Sequence, residues 1–432
     1  PHDGSAELGL AVALGQTGDS DAAALAARRA IAKGAENAGS RFVLGRALFE
    51  SDRYDEAEAE FRRVLRLHAT HAGAHANLAD LVWMRTGDVV AAAAALDAAL
   101  RDAPQLVNLR VLKSRLLGAA GDPGQSYAEL AAGLRMSRDD ASLHLAAAQV
   151  ALKIDPLRAL DHAERALRAA PRNPDALGAQ ADALLATGQP ERVVAVAERL
   201  LATDPHDGHA LALRASAWRM LADPRYRELY DYASFVRAAP LDTPAGWPDL
   251  ASYLADLGRD LQRRHSLRTH PVNQTLRHGT QVELRPEHAR EPAIRAFTQA
   301  IDGPVRSYLA ALGPGEDLLR RRNIGAWRLN GLWSVRLRSG GHHINHFHGK
   351  GWLSSACYID MPATLGAHGG EGWLKFGEPG VPTEPALGPE YFVRPEPGLL
   401  VLFPSWMWHG TVPFSAAATE TRLSIAFDIV PA

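Results

Sequence analysis

The stretch RLRSGGHHINHFHGKGWLSSACY, Arg336 to Tyr358, carries two histidines, His346 and His348, separated by a single residue. Just upstream, Trp333, Val335 and Leu337 alternate with Ser334, Arg336 and Arg338, which is the period of a strand. Residues two apart on a strand face the same way. A strand running on through His-Phe-His therefore aims both imidazoles to one side and Phe347 to the other, and supplies half of a metal site. A further donor is expected from His409, in Trp408-His409-Gly410, after the apolar run Leu399 to Phe403 and the turn Pro404-Ser405. Beyond it, Arg422-Leu423-Ser424 opens a second run, Ile425 to Val430, with Arg422 and Ser424 on one strand face.

That order resembles the Fe(II) and 2-oxoglutarate dependent oxygenases built on a double-stranded β-helix, over residues 325–430. The resemblance implies Fe(II) as metal, 2-oxoglutarate as co-substrate and O2 as oxidant, with His346 the first iron ligand and His409 the distal one. It also implies that Tyr358, as in prolyl-hydroxylase-like members, hydrogen-bonds the distal carboxylate of 2-oxoglutarate, that Arg422 pairs with that carboxylate, and that Ser424 is its hydroxyl companion. A guanidinium suits the task because its planar fork donates two parallel hydrogen bonds. Arg336 is a candidate for the carboxylate nearer the metal. No catalytic residue is expected beyond the metal ligands.

His348 departs from the family pattern, which usually has Asp or Glu there. A third imidazole preserves a three-ligand face with open positions but makes the site one unit more positive. Two alternatives stand beside it: Asp360 or Glu371 as the carboxylate ligand with His348 behind the metal, or water in the third position. His342, His343 and His368 read as solvated loop residues. The glycines 366, 369, 370 and 372 form a loop ahead of a strand at Trp373 to Phe376.

The first half of the chain is periodic. Leu44, Leu78, Leu112 and Ala146 recur at one fixed interval, as do Pro171 and Pro205. The copy FVLGRALFESDRYDEAEAEFRRVLRL, Phe42 to Leu67, resembles the tetratricopeptide repeat, and about six units fit residues 4–206, the fourth degraded near Gly118 to Tyr127. Such helix pairs stack into a solenoid with a concave face that binds peptides or packs on neighbours.

Periodicity fails between Ala222 and Gly246, where prolines and tyrosines enter. A helix is expected from Pro248 to Leu261 and another from Pro286 to Leu312, with Ile294, Phe297, Ile301, Val305 and Leu309 as its core stripe. The segment His270 to Gln281 between them resembles one found ahead of the catalytic core in bacterial repeat-bearing oxygenases. It reads either as a loop closing the barrel or as polar lining of the active-site mouth, with Thr280 and Gln281 as substrate-binding candidates.

Composition limits the rest. A formal net charge of −2 gives no case for nucleic acid or an anionic membrane as partner. Cys357 is the single cysteine, so no intrachain disulfide forms, and a cytoplasmic setting is expected. Its apolar neighbours suit a core position. Pro1-His2 is not a translation start, so the natural N-terminus is expected upstream.

The expected architecture is α + β and multidomain: an all-α tetratricopeptide solenoid at 1–225, then a double-stranded β-helix (jelly-roll) domain with flanking helices at 226–432. The expected activity is that of a 2-oxoglutarate-dependent dioxygenase hydroxylating a side chain of a peptide or protein held by the repeats. A small-molecule oxygenase whose repeats serve assembly, a zinc hydrolase, and a non-catalytic interaction protein with a vestigial barrel are the rivals. Oligomeric state and substrate identity are not legible.

Overall fold

The computed structural model of the chain describes residues 4–363, 365, 370–417 and 419–432, so His368, Gly366 and Gly369 lie outside the described residues. Helices succeed one another from Gly4–Thr17 to Gly208–Met220, and strands dominate from Arg237 onward. Two compact units result, Pro1–Val150 with Pro271–Asn273, and Ala151–His270 with Gln274–Ala432. No helix among the described residues is long and apolar enough to cross a membrane.

In the first unit, polar side chains start five of the helices: Asp19, Asn37, His71, Asp88 and Asp122 each accept from backbone N–H groups of the first turn. These bonds satisfy donors that a helix terminus otherwise leaves orphaned. Close packing explains the small residues of the repeat. A Cβ on Gly45 would meet Phe61 Cε1 at 2.8 Å, so only glycine admits that ring against its helix. The fourth pair, Val107–Ala119 and Pro123–Met136, is regular despite its faded signature. Ser114 and Ser126 join it through a buried hydroxyl contact of 2.8 Å. His75 and Arg110 share a second device: each side chain bonds a carbonyl six residues back, Ala69 O and Pro104 O, both at 2.8 Å.

The second unit joins the helices Pro156–Ala169, Pro174–Ala186, Pro190–Thr203 and Gly208–Met220 to two antiparallel sheets. The strands are β1 (Arg237–Pro240), β2 (Leu276–Glu283), β3 (Trp327–His343), β4 (Leu353–Asp360), β5 (Leu374–Phe376), β6 (Tyr391–Val393), β7 (Leu399–Pro404), β8 (His409–Thr411) and β9 (Arg422–Pro431). The larger sheet runs β1-β7-β4-β9-β3-β2 and the smaller β6-β5-β8. This two-sheet arrangement after a helical array is the jelly-roll expected. Helices Leu250–Arg264 and Phe297–Leu312 flank the sheets, and Ile294, Phe297, Ile301, Val305 and Leu309 are all buried. Pro292 and Pro304 punctuate the second helical stretch, which begins as a 3-10 turn at Pro286–His288 and a short helix at Pro292–Arg295.

Two local expectations change. The barrel-closing loop is partly a strand: β2 pairs along β3, bulging between Arg277 and Gly279 where His278 takes a φ of 53°. That irregularity masks the alternation in the sequence. Strand β3 also ends at His343, before the His-Phe-His triplet.

Candidate active site

Although β3 stops short, His346 is held in register by one β-bridge to His409. Its N–H donates to His409 O at 2.8 Å, and the His409 N–H returns a bond to His346 O at 2.9 Å. The His348 N–H donates to Ser405 O at 2.8 Å. These backbone bonds tie the histidine triplet to the turn leading into β8. Imidazole centroids then stand 4.2 Å apart for His346 and His409, 5.1 Å for His346 and His348, and 5.2 Å for His348 and His409. One ring nitrogen from each lies within 4.8 Å of the other two.

Each ring is oriented by the same means. His346 Nδ1 donates to Ile344 O at 2.8 Å, His409 Nδ1 donates to Met407 O at 2.9 Å, and His348 Nδ1 lies 2.7 and 2.8 Å from the two oxygens of Asp428. A carbonyl or carboxylate only accepts, so Nδ1 carries a proton in each ring, and in a neutral ring the lone pair is then on Nε2. Burial, with the neighbouring His348 adding to it, depresses the His346 pKa to about 3. Burial likewise holds His409 well below the ordinary imidazole range. Neutral imidazoles with convergent Nε2 atoms are the form a divalent transition metal binds.

The triad opens on a cavity of about 270 Å³ that Gln274, Thr275, Gln281, Trp333, Phe347, Arg422 and Ser424 also line. Arg422 is the buried cation of this wall. Its guanidinium lies 5.1 Å over the Tyr358 ring, Nη1 is 3.5 Å from Ser424 Oγ, and Nε has no hydrogen-bond partner. The Tyr358 hydroxyl is likewise buried, beside the Arg422 guanidinium. Register puts these groups together, since Tyr358 and Val335 both pair with Ser424 and Leu337 pairs with Arg422. Among the described residues no carboxylate pairs with Arg422; a buried guanidinium without a counter-charge is costly, and an anionic ligand would relieve it.

Several expected residues lie elsewhere. Val335 faces the cavity, so its neighbour Arg336 faces away and donates to His265 O at 2.7 Å and Gln262 Oε1 at 3.4 Å. Thr280, opposite Arg336 in the register, shares that outer face and bonds His265 Nδ1 at 2.8 Å, whereas Gln281 lines the cavity. Asp360 is exposed at the end of β4 past a register shift, and Glu371 is exposed and accepts from Ser415 N–H at 3.4 Å. Neither carboxylate joins the histidine cluster. His343, read as a solvated loop residue, lines the cavity instead and bonds Thr275 Oγ1 through Nδ1 at 3.0 Å. Cys357 is fully buried, as its neighbours suggest.

Asp428 is the functional candidate that sequence reasoning missed. It is buried, supports His348 and accepts from Ser354 Oγ at 2.7 Å. The signal was present: it continues the even-numbered face of Arg422 and Ser424.

Residues 331–428 match the family described as "Putative 2OG-Fe(II) oxygenase". Residues 8–72, 42–107 and 155–217 match families described as tetratricopeptide repeat. The chain thus carries tetratricopeptide repeats in its N-terminal region and a domain matching the 2OG-Fe(II) oxygenase family at its C-terminus. Among solved structures, a tetratricopeptide repeat protein from Parabacteroides merdae is 15% identical at a TM-score of 0.40, covering 52% of this chain and 90% of that chain. Yeast Tom70 is 15% identical at 0.44, covering 54% and 49%. The collagen prolyl hydroxylase of Paramecium bursaria Chlorella virus-1, solved as its 2OG complex, is 11% identical at 0.31, covering 46% and 97%. No curated protein matches the chain. The oxygenase family implies Fe(II), 2-oxoglutarate and O2, and three convergent imidazoles beside an uncompensated guanidinium fit that metal and that dianion.

Proposed function

We propose that the protein is an Fe(II)- and 2-oxoglutarate-dependent dioxygenase that hydroxylates a side chain of a peptide or protein presented by its repeats. The observation that carries this reading is the sharing of one cavity by the histidine triad and the buried Arg422 guanidinium, whose Nε makes no hydrogen bond. Iron, when bound, supplies the oxygen chemistry that couples decarboxylation of 2-oxoglutarate to oxidation of a C–H bond. His346, His348 and His409 would hold it. Arg422 receives the distal carboxylate of the keto acid, with the Ser424 and Tyr358 hydroxyls completing its hydrogen bonds. The rest of the wall, Gln274, Thr275, Gln281, Trp333 and Phe347 among it, has no carboxylate, lysine or further arginine and suits a neutral side chain.

Zinc hydrolysis would use the same triad and leave Arg422 without a task. The test is aerobic succinate formation from 2-oxoglutarate with added Fe(II), in the intact chain and in His409→Ala and Arg422→Ala. Succinate from the intact chain, abolished by the first variant and requiring far more 2-oxoglutarate in the second, is the expected pattern. Absence of succinate, or its persistence in His409→Ala, would refute the assignment. A peptide array scored for oxygen gain by mass spectrometry then tests the substrate class, and efficient hydroxylation of a free amino acid instead of any peptide would overturn it.

A further inference from the structure

The last helix of the repeat-type array, Gly208–Met220, packs against both segments that carry the candidate metal ligands. At its N-terminal end, a Cβ on Gly208 would meet Gly349 Cα at 2.9 Å and His348 O at 3.1 Å. The next residue, His209, stacks on Phe347 with ring centroids 5.1 Å apart and planes within 14°. Phe347 is the residue between His346 and His348, and it also meets Trp408, the neighbour of His409, in a T-shaped contact at 5.0 Å. Further along the helix, Ser216 Oγ accepts from Trp408 Nε1 at 3.0 Å, and Arg219 donates to Gly377 O and Gly388 O, both at 2.8 Å.

Packing alone would be served by an apolar residue at 209. The imidazole instead has its rotation fixed: His209 Nε2 lies 3.1 Å from Asp182 Oδ1, on the helix Pro174–Ala186. Space for the ring is kept by Gly178, where a Cβ would come within 2.8 Å of both Cε1 and Nδ1. A ring pinned in plane and laid flat on Phe347 limits how that side chain can turn, and with it the backbone that spaces the two imidazoles. Ligand geometry depends on such supporting contacts because a displaced imidazole loses its metal bond without unfolding anything.

We propose that His209, oriented by Asp182, is a positioning residue of the metal centre, so that the end of the repeat array is a working part of the oxygenase site. This rests on reading the histidine triad as the metal site. Loosening His209 would let Phe347 turn, spread His346 and His348, and weaken metal binding while the barrel stays folded. The repeats thus contribute to the chemistry through geometry as well as through any partner they hold.

The experiment is titration of the full-length chain with Co(II), reading affinity and the visible absorption envelope that reports ligand number and geometry, with thermal unfolding of the metal-free protein alongside. His346→Ala establishes where Co(II) sits. His209→Ala is expected to weaken Co(II) binding about tenfold and to change the absorption envelope. Asp182→Ala should act in the same direction, and His209→Phe, which restores the stack but not the bond to Asp182, should recover affinity in part, to about the level of Asp182→Ala. Wild-type affinity and envelope in both His209→Ala and Asp182→Ala would overturn the proposal. So would loss of affinity in proportion to lost thermal stability without rescue by His209→Phe. If His346→Ala binds Co(II) as the wild type does, the metal-site reading itself fails and takes this inference with it.

Discussion

Asp428 on β9 offers the sharpest test of the metal centre. Its two oxygens stand 2.7 and 2.8 Å from His348 Nδ1, and Oδ1 also accepts from Ser354 at 2.7 Å. Asp428→Ala removes the acceptor that keeps the Nδ1 proton in place, so the ring is free to turn and to carry its proton on Nε2. A hydrogen bond to a charged group contributes about 1.5–3 kcal/mol net. Outer partners of metal-bound histidines change metal affinity by about 10–100-fold, which is about 1.4–2.7 kcal/mol. The two magnitudes agree, so Asp428→Ala should weaken binding by about 10–100-fold, and Asp428→Asn, which keeps one acceptor but loses the charge, by about the lower figure. Isothermal titration with Fe(II) under anaerobic conditions, or with Co(II), measures it, and thermal unfolding of the metal-free variants separates a local effect from general destabilisation. An unchanged dissociation constant in Asp428→Ala, with binding lost in His346→Ala, would mean that His348 is not a ligand.

Arg422→Ala should cost about 2–5 kcal/mol of 2-oxoglutarate binding, because the distal carboxylate loses its buried cation; an unaltered apparent affinity in succinate assays would contradict the role given to Arg422. His348→Asp restores the usual family ligand type but removes the imidazole donor of Asp428, leaving Ser354, and sets two carboxylates close together. Metal affinity should therefore fall in the single variant and recover in part in His348→Asp/Asp428→Asn, and equal affinity of the single variant and the wild type would show that Asp428 is not coupled to the site. His265, between Thr280 and Ser334, has its pKa depressed to about 3 by burial and by the nearby Arg336, Arg264 and Arg338. Between that value and the ordinary imidazole pKa of 6.5 the unfolded chain holds the extra proton. Stability contributed by neutral His265 is therefore present above that range and falls as pH falls through it, by up to about 1.4 kcal/mol per pH unit. Denaturant unfolding of the metal-free protein from about pH 7 to about pH 4.5 should be steeper in pH than that of His265→Gln, and parallel curves would rule His265 out as a source of the dependence.

The parts legible in the sequence were those written as a period or as a pattern of donors. The repeat spacing announced the helices, and His-x-His, His409 and Arg422-x-Ser424 announced a cavity with three imidazoles and a cation. What escaped was set by register. Arg336 and Thr280 oppose each other across β2 and β3, so both take the outer face together, and nothing local distinguishes that face from the inner one. His343 looked like a loop histidine because two glycines precede it, yet β3 runs on through Gly340 and Gly341 and carries it to the cavity. Partnerships across long sequence separations, His348 with Asp428 or His209 with Phe347, exist only once the chain has folded.

Strand β9 shows why fold and site stand or fall together. Its odd residues, Leu423, Ile425, Phe427 and Ile429, are completely buried among the core side chains. Its even residues include Arg422, Ser424 and Asp428, which carry the cation, its hydroxyl neighbour and the support of His348. A slip of one residue would bury a guanidinium and a carboxylate in the core and turn four large apolar side chains toward the cavity, so hydrophobic burial fixes the register against that alternative. Pairing with β3 on one side and β4 on the other fixes it again, through Val335, Tyr358 and Leu353. The carboxylate that the family usually places at the position of His348 is thus present one hydrogen bond further back, delivered by the same alternation that delivers Arg422. A single strand's pattern sets both the charge behind the third imidazole and the cation of the cavity wall, and a change to its register would displace both at once.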